Sequence, residues 1–278
     1  MTEAMSTSTP RLDIGTPEEA GQLGTVLGVW AHPDDETYLS SGLMALARRA
    51  GSQVACVTAT RGEHGTDDPR RWPPERLART RDLEVAAAMA VLGVEDHRCF
   101  GFEDGTLADQ DRAAAVSRVA RLVEDVRPDT IVTFGPEGMS GHPDHRTVSA
   151  WVTEAWRRTG ARGRLLYATT TDTFAEEFAD LHDAVGVFGP GLPLRTPLRE
   201  VAVRVHLDPA LQDVKFAALR AQATQVQPLV ALVGEDRFIS WWRNETFTAA
   251  PSVPGLRAAG DLHGSSRRSP SAAVQASG

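Results

Sequence analysis

Cysteine is nearly absent from this chain: Cys56 and Cys99 are the only two in 278 residues. Both stand in apolar runs that read as strands, where a cysteine is a small buried hydrophobe, and no disulfide is expected. Long apolar runs are missing too. None approaches the roughly 18–20 residues of a membrane span, and Met1 to Pro10 is polar, without the apolar centre of a signal peptide. Basic charge is in deficit, 29 Lys and Arg against 37 Asp and Glu, for a net charge of −8. A balance of that sign repels nucleic acid and anionic membrane. No G-x-G-x-x-G follows the first apolar run, which sets a nucleotide-binding role aside. The expectation is a soluble, cytoplasmic protein with no nucleic-acid partner and no membrane span.

What is present is ordinary globular material, 41% hydrophobic and 24% charged, long enough to bury a core without staples. Short apolar runs alternate with segments of helical period. Thr25–Val29 reads as a buried strand, and Gln53–Thr60, His97–Phe102 and Thr130–Phe134 read as further strands. Between and after them, 37–50, 74–92, 109–126 and 144–159 repeat apolar residues at helical spacing, with Gly51, Gly93 and Pro128 as stops. That alternation predicts an α/β fold: a Rossmann-like, mostly parallel sheet with helices on both faces. A C-terminal β/α portion extends it, with Leu165–Thr170 as a strand, 174–185 and 209–225 as helices, and an alternating, half-buried Glu200–His206 that suits an antiparallel strand. Residues 1–23 read as a flexible arm, 24–250 as a single domain and 251–278 as a disordered tail.

The chemistry is concentrated at two strand ends. His32-Pro33-Asp34-Asp35-Glu36 follows the first strand, and His142-Pro143-Asp144-His145 follows the strand at 130–134. In open α/β sheets ligands bind at the carboxyl ends of strands. Crowding imidazoles and carboxylates together is costly unless a cation offsets their charge. A catalytic zinc takes three protein ligands of these types and keeps one position for water. The candidates are His32, Asp34 or Asp35, and His142 or His145. One carboxylate of the Asp34-Asp35 pair would ligate while the other stays free as a base, and Asp144 is a natural acceptor to fix an imidazole's tautomer.

Together these two motifs resemble the zinc-dependent N-deacetylases of the PIG-L/LmbE family. The likeness extends to Thr60-Arg61-Gly62-Glu63-His64-Gly65, Arg81-x-x-Glu84, Leu92-Gly93-Val94, Asp104-Gly105, Lys215-x-x-Ala218-Leu219 and Thr224-Gln225, spanning roughly 25–225. The family includes the mycothiol-pathway deacetylase and amidase, the N-acetylglucosaminyl-phosphatidylinositol deacetylase and glycopeptide-antibiotic deacetylases. The resemblance implies His32, Asp35 and His145 as ligands of one zinc, with iron(II) as a substitute, and Asp34 as general base. It implies that His142 stabilises the oxyanion or protonates the leaving amine with Asp144 as its partner, and that Arg81 and Asp104 hold sugar hydroxyls. The implied reaction removes an N-acyl, expected N-acetyl, group from a small-molecule glucosaminyl conjugate; an amidase acting on a mycothiol-like thiol conjugate is the alternative. Two positions depart from relatives: Ser140 replaces a tyrosine found in some sugar deacetylases, and Gln222 stands where a histidine is usual, which is read as an altered substrate contact.

Other readings were weighed. Two histidines and a carboxylate also make a non-haem iron oxygenase site, but a second carboxylate beside the metal favours hydrolysis. A non-catalytic metal or sugar-binding protein would have no use for Asp34. His64, His97, His182, His206 and His263 are read as structural or solvated, and Trp241-Trp242 as closing a C-terminal core. Oligomeric state is left open, a homo-oligomer included.

Overall fold

The computed structural model describes residues 11–251. Its strands are β1 (Leu12–Ile14), β2 (Val26–Trp30), β3 (Val54–Thr60), β4 (Asp96–Phe102), β5 (Thr130–Phe134), β6 (Arg164–Thr169), β7 (Val203–Val205) and β8 (Glu245–Ala249). The helices are α1 (Pro17–Ala20), α2 (Asp35–Arg49), α3 (Pro74–Leu92), α4 (Arg112–Val126), α5 (Pro143–Arg158), α6 (Asp172–Glu177), α7 (Ala179–Val185), α8 (Pro209–Ala221), α9 (Ala223–Val233) and α10 (Glu235–Trp241). The strands form one sheet in the order β1-β7-β8-β6-β5-β2-β3-β4. The expected α/β architecture is therefore present. No described helix is long and apolar enough to cross a membrane.

Chain order explains where the site falls. From β2 the chain moves outward through β3 to β4, then returns to β5 on the other side of β2. Right-handed crossovers put α2 and α3 on one face, and the reversal puts α4 and α5 on the other. β2 and β5 are parallel neighbours, so their carboxyl ends flank the switch point where an open sheet leaves a crevice. All five residues of each strand are buried, which is why they read as unbroken apolar runs.

Three expectations need correction. Residues 12–23 are not a loose arm: β1 pairs in parallel with β7, Thr16 and Glu19 form a capping box on α1, and Ile14, Ala20 and Leu23 are fully buried. A three-residue strand whose partner lies some 190 positions downstream has no local signature. Second, the antiparallel pairing expected of β7 holds only toward β8; β7 is parallel to β1, and β8 is the strand antiparallel to both its neighbours, β6 and β7. Third, the helices expected at 174–185 and 209–225 each break in two, at Phe178 and at Gln222. The segment 1–10, the tail from 252 and His263 lie outside the described residues.

The C-terminal portion is riveted to α2 by a buried ion pair. Lys215, the only lysine of the chain, is fully buried on α8, with Nζ 2.8 Å from Glu245 Oε1 on β8. Glu245 also accepts from the backbone N–H groups of Gly42 and Leu43 at 2.8 and 2.9 Å, while Lys215 donates to the Tyr38 carbonyl at 2.7 Å. Tyr38 and Gly42 stand four apart on α2, so the two charges hold complementary groups of one helical turn. Gly42 gives the chain a close approach here: a Cβ would come within 2.3 Å of Leu207 Cδ2 and 3.2 Å of both Glu245 carboxylate oxygens. Removing one partner strands the other charge: Lys215→Met should lower unfolding free energy by about 3–5 kcal/mol, with much of it regained in Lys215→Met/Glu245→Leu. Urea titration of the three proteins measures both values.

Candidate active site

Two turns deliver the polar groups. After β2 the chain enters α2 through Asp34, which takes φ 127°, a conformation that costs a non-glycine residue about 1–3 kcal/mol. The His32 N–H donates to Asp35 Oδ2 at 2.8 Å, closing the turn. After β5 a loop with positive-φ Gly138 and Gly141 leads to His142, the N-cap of α5, and Pro143 in its first turn. His145 then lies one turn into α5, its ring stacked on Phe134 with centroids 4.1 Å apart.

The tautomers follow from the far side of each ring. His145 Nδ1 lies 3.0 Å from the Gly138 carbonyl, which only accepts, so Nδ1 carries the proton. His32 Nε2 lies 3.0 Å from Asp104 Oδ1 and 3.3 Å from Asp144 Oδ2, so its proton is there. The remaining nitrogens, His145 Nε2 and His32 Nδ1, face one another at 3.2 Å. Asp35 completes the triangle, with Oδ1 3.3 Å from His145 Nε2 and Oδ2 3.6 Å from His32 Nδ1. A tetrahedral zinc with bonds of 2.0–2.1 Å has ligand–ligand edges of about 3.3–3.4 Å. The donor set and its spacing fit such an ion.

The electrostatics carry the same demand for positive charge. Burial opposes a charged His32, but its hydrogen bonds to the carboxylates of Asp104, Asp144 and Asp35 outweigh it and hold its pKa well above the usual value. Burial pushes His145 down to about 4, so it is a neutral donor. Burial would raise Asp35, but His145 and His32 beside it hold it down at about 2. Asp34 goes the other way. Burial lifts it to about 7, aided by Asp35 and Glu36 and opposed by Arg81, so two adjacent aspartates are chemically distinct.

His142 is nearby, its ring centroid 4.9 Å from that of His32, and its nitrogens come within metal-sharing range of His32 and His145. Its Nδ1, however, accepts from the Asp144 N–H at 3.2 Å. The proton is then on Nε2, which makes His142 a donor rather than a ligand. The carboxylate of Asp144 is not paired with His142, as the sequence suggested. It is fully buried, accepts from the N–H groups of Gly105 and Leu107, and turns to His32.

Arg81 on α3 is 3% exposed and directed at the site. It donates to the Gly62 carbonyl at 2.7 Å and to the Pro33 carbonyl, and lies 3.3 Å from Asp34 Oδ2. Gly62 and Gly65 make room for it; a Cβ at either would come within 2.1 or 2.6 Å of Nη1. Asp104 accepts from the His64 N–H as well as facing His32. All eight expected site residues are thus brought together, and seven of them (all but Asp144) line one cleft of about 750 Å³. Part of its lining is aromatic: Trp241, Trp242 and Trp72, whose place beside a pocket the sequence leaves open against a core role, are joined by Tyr38 and Phe188, which the sequence does not single out. Trp241 and Trp242 do close a C-terminal core, but they border the cleft too. Gln222 is not a cleft residue. It is 1% exposed and donates to Glu36 at 2.6 Å, which corrects its reading as a substrate contact.

Residues 27–156 match a family model described as PIG-L, GlcNAc-PI de-N-acetylase. The chain is 33% identical over 263 aligned positions to a 1D-myo-inositol 2-acetamido-2-deoxy-alpha-D-glucopyranoside deacetylase of Kineococcus radiotolerans, covering 77% of this chain and 72% of that protein. Among solved structures it is similar to N,N'-diacetylchitobiose deacetylase from Pyrococcus horikoshii, with a TM-score of 0.54 at 19% identity, covering 82% of this chain and 84% of that one. It is also similar to a 4-carboxy-2-hydroxymuconate hydratase of Pseudomonas putida KT2440, with a TM-score of 0.58 at 16% identity over 83% and 98% of the two chains. At such identities the structures share a fold, and a fold that hosts both a deacetylase and a hydratase does not decide the reaction.

The geometry separates residues whose donor atoms converge on one point from a carboxylate that stands beside it. His32→Ala and His145→Ala should each lower zinc affinity at least 10- to 100-fold, about 1.4–2.7 kcal/mol. Asp34→Asn should keep near-stoichiometric metal. Elemental analysis after dialysis and competition with a chromogenic chelator read both outcomes.

Proposed function

The chain belongs to the PIG-L family of de-N-acetylases, and from that premise we propose that it is a zinc-dependent hydrolase that removes the N-acetyl group of a glucosaminyl conjugate. The observation that carries the reading is the convergence of His32 Nδ1, His145 Nε2 and the Asp35 carboxylate on one point, with a second carboxylate, Asp34, beside it and free of that point. When bound, zinc lowers the pKa of a water and polarises the acyl carbonyl.

The side chains divide the remaining work. Asp34 takes the proton of the attacking water, and Arg81 holds that carboxylate in place. As the amide carbon becomes tetrahedral, negative charge develops on its oxygen, and the His142 Nε2–H is placed to donate to it or to the departing nitrogen. Asp104 and Asp144 keep the His32 proton on Nε2, so that Nδ1 stays available as a ligand. As the C–N bond breaks, the proton that Asp34 took from the water passes to the departing nitrogen, leaving acetate and a free amine. Arg81 and Asp104 both border the cleft and can share hydrogen bonds with sugar hydroxyls, though in this structure their first partners are protein groups.

The aromatic wall is suited to the aglycone. A sugar or cyclitol ring presents a C–H face that lies flat against Tyr38, Phe188 or Trp242, and the Kineococcus relative acts on an inositol glycoside. An iron oxygenase would leave Asp34 without work. A mycothiol-like thiol conjugate cleaved as an amide is the second substrate class to include, because the cleft exceeds the size of one sugar.

The test is acetate release by zinc-loaded protein from N-acetylglucosaminyl-inositol, N,N'-diacetylchitobiose, free N-acetylglucosamine and a cysteinyl thiol conjugate. Release from at least one glucosaminide is expected, and silence across the panel sinks the reading. Asp34→Asn should lose about 10²- to 10⁴-fold in kcat. Phe188→Ala should raise KM for the inositol glycoside by about 3- to 10-fold with little change in kcat.

A further inference from the structure

Glu36 completes the His-Pro-Asp-Asp-Glu segment, yet the chemistry above leaves it unused. It is fully buried and lies outside the cleft lining, so it cannot touch substrate. Its Oε2 accepts from the Asp34 N–H at 3.0 Å. Its Oε1 accepts from Thr37 Oγ1 at 2.8 Å and from Gln222 Nε2 at 2.6 Å. Three donors therefore converge on one buried carboxylate, and one of them is the backbone of the residue read as the base.

That backbone needs holding. Asp34 is one of four non-glycine residues with positive φ among those described. The peptide that enters it is gripped on both sides: Arg81 donates to the Pro33 carbonyl, and Glu36 accepts the Asp34 N–H. The unusual turn lets neighbouring carboxylates serve different partners, Asp34 facing Arg81 while Asp35 faces the two histidines. Gln222, at the break between α8 and α9, closes the brace from the C-terminal portion of the chain.

We propose that Glu36, braced by Gln222, is a positioning residue: it locks the Pro33–Asp34 peptide and thereby aims the Asp34 carboxylate at the attacking water. The proposal rests on the reading of Asp34 as general base. Misaiming a catalytic group by about 1 Å can cost on the order of 100-fold in rate, whereas the corners of the metal triangle keep partners of their own, the His32 N–H on Asp35 Oδ2 and the Gly138 carbonyl on His145.

Glu36→Ala should lower kcat by about 10- to 100-fold with KM and zinc content unchanged, and should speed hydrogen exchange at the Asp34 amide as read by NMR. Glu36→Gln still offers an oxygen to that amide and should restore kcat to within a few-fold of wild type. If Glu36→Ala does not fold, Gln222→Met removes the bracing donor at similar volume and should lower kcat a few-fold with the same exchange signature. Wild-type kcat, unchanged exchange at Asp34, or loss of zinc together with turnover in the folded variant overturns the proposal. Should the wild type release no acetate at all, the functional reading fails separately, and the exchange comparison decides whether the brace exists.

Discussion

Two imidazoles, each held by hydrogen bonds on its outer edge, turn His32 Nδ1 and His145 Nε2 toward one another across 3.2 Å, with a carboxylate as the third corner. Nitrogens so arranged repel unless a proton or a cation stands between them, and every nearby feature maintains the arrangement. The Gly138 carbonyl holds the His145 proton, Asp104 and Asp144 hold that of His32, and Phe134 fixes the plane of the His145 ring. The sheet contributes the topological reversal that makes β2 and β5 neighbours. The helix starts contribute the turns that face the polar groups inward.

Around that point lies an unusual density of buried charge. His32, Asp35, Glu36, Arg81, Asp104, Asp144 and His145 are each at most 9% exposed. Such groups are tolerated when each is partnered by the next, and here the partners form a continuous chain. Arg81 and Glu84, one turn apart on α3, divide between the two halves of the molecule: Arg81 holds the Asp34 turn, while Glu84 accepts from the N–H and hydroxyl of Thr224 at the start of α9. The site is thus mechanically continuous with the C-terminal portion, although that portion supplies none of the metal-facing atoms.

Much of this was legible in the sequence because the signals are local. Strand-helix alternation located the five strands β2 to β6, and His-Pro-Asp-Asp and His-Pro-Asp-His placed the polar groups at strand ends. What was not legible depends on distant pairing. β1 is three residues whose partner lies almost two hundred positions away, so its apolar content looked incidental. The family resemblance paired Asp144 with His142, two positions away, whereas in space Asp144 faces a histidine 112 positions earlier. Gln222 looked like a substrate residue since it stands where relatives carry a histidine, but the helix break turns it inward to Glu36. The aromatic wall draws Tyr38 and Phe188 together with the two tryptophans from three separate segments, which no window of sequence spans.

The ion pair between α8 and β8 gives this protein an unusual covalent profile. Its sole lysine is enclosed, its ε-amine occupied by Glu245 and the Tyr38 carbonyl. In the folded state no lysine ε-amine is therefore presented to acylating reagents, aldehydes or carbonyl metabolites, and the sole site for a lysine-directed protease is shielded. Labelling of the Lys215 ε-amine, ordinarily a measure of surface for lysines, would report here on opening of the C-terminal third.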